Sequence, residues 1–267
     1  MSQEVNITDI NKEVSNLGRF ADSDHPHLIK LLWTYKQGDD FHLVFPCADG
    51  NLLNFWEKHD SPVRGKTDVD RRAGALWVAR QCLGIVEGLS MIHTDDRNGP
   101  GETGRKKYGR HGDLKPENIL WFQDPDSQAQ EGGYNPGALQ ISDFGFMRFN
   151  SSYSRLWINA ETVGITPTYR PPEYDVFRKV SAKSDIWSLG CVFLEFVTWY
   201  LDGWEGVSRF RLARADEENH NIIPGDTFFS DLRRPDTGIC ARAKRSVAKV
   251  SAQPYIHRIA TYLTKVL

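Results

Sequence analysis

The run from Asp185 to Tyr200 is apolar all the way round: Trp187, Leu189, Val192, Phe193, Phe196 and Trp199 fall on every side of a helix drawn through it. A helix without a polar face has to be enclosed by other elements. The chain is therefore predicted to build a mostly helical unit around this pillar. The most apolar stretch, Ile186 to Leu201, is short for a bilayer span and carries Glu195, so no membrane span is expected.

Other segments supply the surroundings. Between Ala73 and His93, residues Val78, Cys82, Ile85, Leu89 and Ile92 recur every three or four positions, which predicts a long helix with one core-facing stripe. Two apolar runs, Leu28 to Tyr35 and Phe41 to Pro46, flank the turn-prone Gln37-Gly38-Asp39-Asp40 and predict a hairpin. Asn118 to Phe122 and Ala138 to Ser142 predict a second, split by the polar stretch Gln123 to Gly137. Ile7 to Phe20 suits a helix with Thr8 or Asp9 as its cap, Cys47 to Asn51 reads as a connector, and Asn98 to Tyr108 as a loop. Beyond Gly206 the pattern weakens until Ile256, Ile259, Ala260, Leu263 and Leu267, which suggest an amphipathic helix running into the C-terminus. The fold class expected is α+β.

With 267 residues the chain is long enough for one large domain or two small lobes. A net charge of -2 gives no general reason to expect nucleic acid as a partner. The four cysteines, Cys47, Cys82, Cys191 and Cys240, lie far apart, with no zinc or disulfide spacing. Met1 to Asn11 is polar and acidic, unlike a signal peptide. A soluble intracellular protein, cytoplasmic or nuclear, is expected.

Two short motifs carry chemistry. Residues 111 to 118 read His-Gly-Asp-Leu-Lys-Pro-Glu-Asn, and the strand candidate ending at Ser142 runs into Asp143-Phe144-Gly145. Carboxylate and amide oxygens are hard ligands suited to magnesium, and a lysine is a compact positive charge for phosphate. Pro171-Pro172-Glu173 and then Asp185, Trp187, Ser188 and Gly190 follow in order. With these four motifs in sequence, the chain resembles the protein serine/threonine kinases over nearly its whole length.

The resemblance implies a protein-kinase-like fold: a reduced small lobe over residues 1 to 46 (one helix plus a β-hairpin), a hinge over 47 to 51, and a mainly helical large lobe over 52 to 267. It implies transfer of the γ-phosphate of ATP to a serine or threonine hydroxyl of a protein substrate, with magnesium. Asp113 would orient the attacking hydroxyl and Lys115 would lie against the transferring phosphate. Asn118 and Asp143 would hold the metal. Lys115, two positions past Asp113, is the serine/threonine rather than the tyrosine pattern, and Thr166 sits where those kinases bond the catalytic aspartate and lysine. Adenine would meet the backbone around Phe45, Pro46, Cys47 and Ala48, over Leu120. Phe45 reads equally as the guard of that pocket or as a core aromatic. Asp185 would accept hydrogen bonds from the catalytic-loop backbone, since a buried carboxylate needs them.

The pattern departs from the family in three places. Gly112 replaces an arginine that in the family clamps a phosphate on the activation segment, so control through Ser151, Ser152, Ser154 or Thr162 loses its clamp at this position. No glycine-rich strand pair or strand lysine precedes Glu13, and Lys12, adjacent on the same helix, cannot serve. The chain reads as truncated at this end and apparently at the other, and no arginine partner for Glu173 can be assigned. These departures raise a second reading, a pseudokinase that binds partners without turnover. Gly112 raises a third, a small-molecule phosphotransferase of the aminoglycoside or choline kinase type. Leu114-Lys115-Pro116, Phe144 and Pro-Pro-Glu weigh against the third.

Overall fold

The computed structural model describes residues 24–38, 40–94, 108–124, 134–146, 148–150, 158–160, 164, 166–217, 225–234 and 238–252. The expected helices at Ile7 to Phe20 and Ile256 to Leu267, the loop residues 98–107 and the candidate phosphorylation sites lie outside them. In chain order the elements are β1 (Trp33–Gln37), β2 (Asp40–Val44), β3 (Gly50–Asn51), α1 (Leu52–Lys58), α2 (Asp68–His93), β4 (Tyr108–Arg110), β5 (Ile119–Phe122) and β6 (Ala138–Ile141). There follow β7 (Arg148–Asn150), β8 (Ile158–Asn159), α3 (Pro172–Val176), β9 (Lys179–Val180), α4 (Lys183–Asp216), β10 (Phe229–Arg234), β11 (Gly238–Ala243) and α5 (Arg245–Ser251).

The expected pillar is α4, and it continues past the predicted end to Asp216, bent at Gly203, whose φ of 69° only glycine adopts freely. Leu189, Val192, Phe196, Val197 and Trp199 are buried in the main core. Enclosure is incomplete, however. Ile186 is 44% exposed and, with Gly190 and Phe193, borders an open groove shared with Leu89 and His93 of α2.

Helix α2 starts at Asp68, before the apolar stripe begins, because Thr67 and Asp70 form a reciprocal cap. The Asp70 N–H donates to Thr67 Oγ1 and the Thr67 N–H to Asp70 Oδ2, each at 3.2 Å. By length and composition α2 could cross a bilayer. In the structure 56% of its most apolar window is buried inside the protein, as in a core helix. Phe55 of α1 ties the layers together, its ring centroid 5.3 Å from Trp77 on α2, 5.3 Å from Trp121 on β5 and 5.1 Å from Trp199 on α4.

The second hairpin forms as expected, β5 antiparallel to β6, with β3 added on the far edge of β5 to make three strands. The first hairpin is β1 with β2, but it is shifted from the expected runs. Leu28 and Ile29 do not extend β1. They join β6 instead, the Ile29 N–H donating to the Ile141 carbonyl and the Ile141 N–H to the His27 carbonyl, both at 2.9 Å. Leu28 and Ile29 are both buried, and that burial decides the partner. Their segment presses so closely on α2 that a Cβ at Gly84 would meet the His27 ring at 2.1 Å.

Phe55→Ala is expected to cost about 4 kcal/mol through the cavity it opens, while Trp33→Ala, at a site 69% exposed, should stay within about 0.5 kcal/mol. Urea denaturation of both variants measures the difference. Equal costs would contradict a core centred on Phe55.

Candidate active site

Between β4 and the short turn Pro116–Asn118 the chain carries His111, Gly112, Asp113, Leu114 and Lys115, all but Lys115 buried. Its backbone is shaped by Asp185, in the first turn of α4. One Asp185 oxygen accepts the His111 N–H at 2.8 Å, and the other accepts the Gly112 N–H at 2.9 Å. His93, at the last turn of α2, adds a ring nitrogen at 2.9 Å. Burial alone would raise the Asp185 carboxyl, but the hydrogen bond and charge of His93, with the charges of His111 and Arg110, outweigh it and hold it below its ordinary value.

Gly112 has a φ of 98°, a left-handed conformation that costs most residues about 1–2 kcal/mol. This glycine stands where the family resemblance expects an arginine. In the structure it also lets two successive N–H groups aim at one carboxylate.

Asp113 is fixed by donors on both oxygens. The Thr166 hydroxyl donates to Oδ1 at 2.8 Å, with the Thr166 N–H at 3.3 Å. On Oδ2 lie the Lys115 ammonium at 2.7 Å and the Asn118 amide at 3.2 Å. Lys115 also donates to Thr166 Oγ1 at 3.1 Å, so threonine, lysine and aspartate close a ring of contacts. The Asn118 amide nitrogen further donates to the Asp113 carbonyl at 2.8 Å. That commits its NH₂ group inward and leaves its oxygen as the ligand-capable end.

Asp143 joins this group through its neighbour. The Ser142 N–H and hydroxyl both donate to the Asn118 carbonyl, at 2.9 and 3.0 Å. His111 connects the same strand end: its ring accepts the Asp113 N–H at 3.3 Å, contacts the Ser142 carbonyl at 2.9 Å, and meets Phe144 edge to face at 5.8 Å. Phe144 is buried while Asp143 points to the surface, its φ of 63° among the few positive values outside glycine. Such a conformation at a non-glycine residue marks stored strain of the kind found at functional sites. An amide oxygen and an exposed carboxylate suit a magnesium ion that takes its remaining oxygens from phosphate and water. The donor set therefore fits that ion.

The expected adenine residues lie across β5. Phe45 to Ala48 fall between β2 and β3 and enter no ladder, and Phe45 packs half-buried on the core. The strand that follows them, β3, joins β5: Asn51 pairs with Leu120, and just before it the Asp49 N–H donates to the Trp121 carbonyl at 3.0 Å. Among the described residues no hydrogen bond or ion pair joins this connector to Asp113 directly. Glu173 is half-buried, burial pushes its carboxyl up, and no ion pair to it is found among the described residues. The sequence assigned no role to His111, the first residue of its motif, nor to His93 and Ser142, whose signal was their place at element ends bordering the motifs.

A profile of the protein kinase domain matches residues 1–211. The chain is 32% identical to the serine/threonine-protein kinase ATG1 of Eremothecium gossypii over 183 residues, which covers 64% of this chain and 18% of that protein. It is 31% identical over 183 residues to the protein of that name in Kluyveromyces marxianus, covering 64% of this chain and 21% of the relative. Against that of Botryotinia fuckeliana it is 24% identical over 276 residues, covering 92% of this chain and 27% of the relative. The chain thus spans less than a third of the length of these relatives.

The Asp185 carboxyl gives a pH test. Its folded value lies below the unfolded one of about 3.9, so its stabilisation is complete above that pH and is lost as pH falls through the folded value. Asp185→Asn should cost about 3 kcal/mol at neutral pH and flatten the acid limb of a stability profile measured by urea denaturation. A variant with the wild-type profile would contradict the assignment.

Proposed function

Because this chain belongs to the protein kinase family, we propose that it transfers the γ-phosphoryl group of ATP to a serine or threonine hydroxyl of a protein. The observation that carries the reading is the closed ring of Asp113, Lys115 and Thr166, joined to Asn118 and, through Ser142, to Asp143. Asp113 sits with its carboxylate held from both sides, ready to take the hydrogen bond of an incoming hydroxyl and with it the proton. Lys115, 23% exposed, can swing its ammonium from Asp113 toward a transferring phosphate. Thr166 keeps the two in register and marks the serine/threonine class. Asn118 and Asp143 are the residues to hold magnesium, which with ATP supplies the phosphoryl group and the charge that offsets its oxygens.

On this reading the backbone of Phe45 to Ala48 receives adenine over Leu120, and the division into a small lobe over 1–46, a hinge over 47–51 and a large lobe over 52–267 is retained. Cys47, Cys82 and Cys191 are free thiols, which supports a reducing, cytoplasmic or nuclear location. The alternative reading is a pseudokinase. It would leave nucleotide binding without turnover.

Asp113→Asn should lower phosphate transfer to a serine-containing protein roughly 10²- to 10⁴-fold, measured with radiolabelled ATP, and product analysis should find phosphoserine or phosphothreonine. Undiminished transfer by the variant would contradict the role of Asp113. No transfer by the wild type, despite bound ATP, would favour the pseudokinase.

A further inference from the structure

Beneath the turn Pro167–Tyr169, next to Thr166, lies a buried cluster of charges that the reaction does not use directly. Its centre is Glu195 of α4, wholly enclosed. Glu195 Oε1 meets Arg211 Nε at 3.0 Å and Arg214 Nη2 at 2.7 Å. Oε2 accepts Arg211 Nη2 at 3.1 Å and the Tyr169 hydroxyl at 2.8 Å. Arg211 Nη2 also reaches the Tyr169 oxygen at 3.4 Å.

The turn is gripped at further points. The Ser188 hydroxyl donates to the Tyr169 carbonyl at 2.9 Å. The Thr168 hydroxyl donates to Asp226 at 2.5 Å, and the Asp226 carbonyl accepts Arg214 Nε at 3.0 Å. Arg214 is fixed between the rings of Phe210 and Phe228, at 4.2 and 4.0 Å, with no room to move. Burial, and then the charge of Glu195, push the Tyr169 hydroxyl well above its ordinary range, so it remains a donor.

The two arginines do different work. Arg214 holds one oxygen of Glu195 from inside the core. Arg211, 24% exposed and stacked over Trp204 at 5.6 Å, holds both. Without Arg211 each Glu195 oxygen would keep a single partner, Arg214 on Oε1 and the tyrosine on Oε2, and the two-pronged hold on the carboxylate would be lost. Tyr169 is three residues from Thr166, and its N–H donates to the Thr166 carbonyl at 3.2 Å. A turn that loosens at Tyr169 therefore loosens Thr166 on Asp113.

We propose that Arg211 is a positioning residue for the phosphoryl transfer: by clamping both oxygens of Glu195 under Tyr169 it fixes the turn that presents Thr166 to Asp113. The inference rests on the kinase reading above for its effect on rate, but not for its effect on the turn. Misplacement of a catalytic contact by a distance on the order of 1 Å can cost up to about 100-fold in rate.

The test is a cycle between Arg211→Met and Thr166→Ala. Arg211→Met should lower kcat roughly 10- to 100-fold, with KM for ATP changed less than about twofold. On the Thr166→Ala background it should cause no further loss, because the contact it maintains is already gone. Arg211→Lys, which keeps charge but not the two-pronged contact, should recover only part of the rate. Equal losses on both backgrounds would overturn the proposal.

Hydrogen exchange supplies a readout that needs no turnover. The amides of Thr166, Tyr169 and Arg170, hydrogen-bonded in the turn, should exchange at least about tenfold faster in Arg211→Met, while those of α2 keep their protection. Unchanged exchange in the turn would also overturn the proposal. Should Arg211→Met fail to fold, Tyr169→Phe removes only the hydroxyl between turn and Glu195, and the same exchange result is required of it. If Asp113→Asn leaves turnover intact, the kinase reading fails and the exchange measurement still decides the clamp.

Discussion

A carboxylate enclosed at the start of a buried helix keeps its charge only where donors replace the water it has lost. Asp185 has them in the N–H groups of His111 and Gly112 and the ring of His93. These bonds do more than satisfy one side chain. They set the backbone between β4 and Pro116, and from that backbone project Asp113, Lys115 and Asn118. The first turn of α4 also places the helix dipole in favour of a negative charge there. The left-handed Gly112 is the local cost of bringing two successive N–H groups onto one carboxylate.

The same principle recurs deeper in the helical lobe. Arg110, Arg170, Arg214 and Lys244 are almost wholly buried. Arg170 meets Asp175 at 2.7 Å, and Lys244 donates to the carbonyls of Arg214 and Gly225 at 2.6 and 3.1 Å. Arg170 thus ties the turn after Thr166 to α3, and Lys244 ties the start of α5 to the end of α4. Breaking such a buried pair from one side costs far more than the pair contributes when whole. This makes the charges pins for position more than sources of stability.

What was legible in the residues follows from this division. The stripe of α2, the apolar α4 and the β5 and β6 hairpin carried strong periodic or turn signals, and each formed. The group Asp113, Lys115, Asn118, Asp143 and Thr166 was visible as chemical types in order, and its members are neighbours. Leu28 and Ile29 were misread because a short apolar run does not say which partner will bury it. Tyr108 was placed in a loop because a three-residue strand such as β4 shows no periodicity, and β10 and β11 were not seen at all. The second limb of α4 was hidden by its charge. Arg211 and Arg214 look like a solvated face until Glu195, sixteen and nineteen residues earlier, is known to lie beneath them. Sequence patterning assumes that charges lie outside, and here the exceptions hold the working parts together.

The account stands on one convergence, an amide and two carboxylates gathered with a lysine between the end of β4, the start of β5 and the end of β6. Its most direct test is calorimetric titration of ATP, with and without magnesium, into the wild type and into Asp143→Asn. The account predicts binding that needs the metal in the wild type and is weakened about tenfold or more when Asp143 loses its charge. Nucleotide binding indifferent to both magnesium and Asp143 would contradict it.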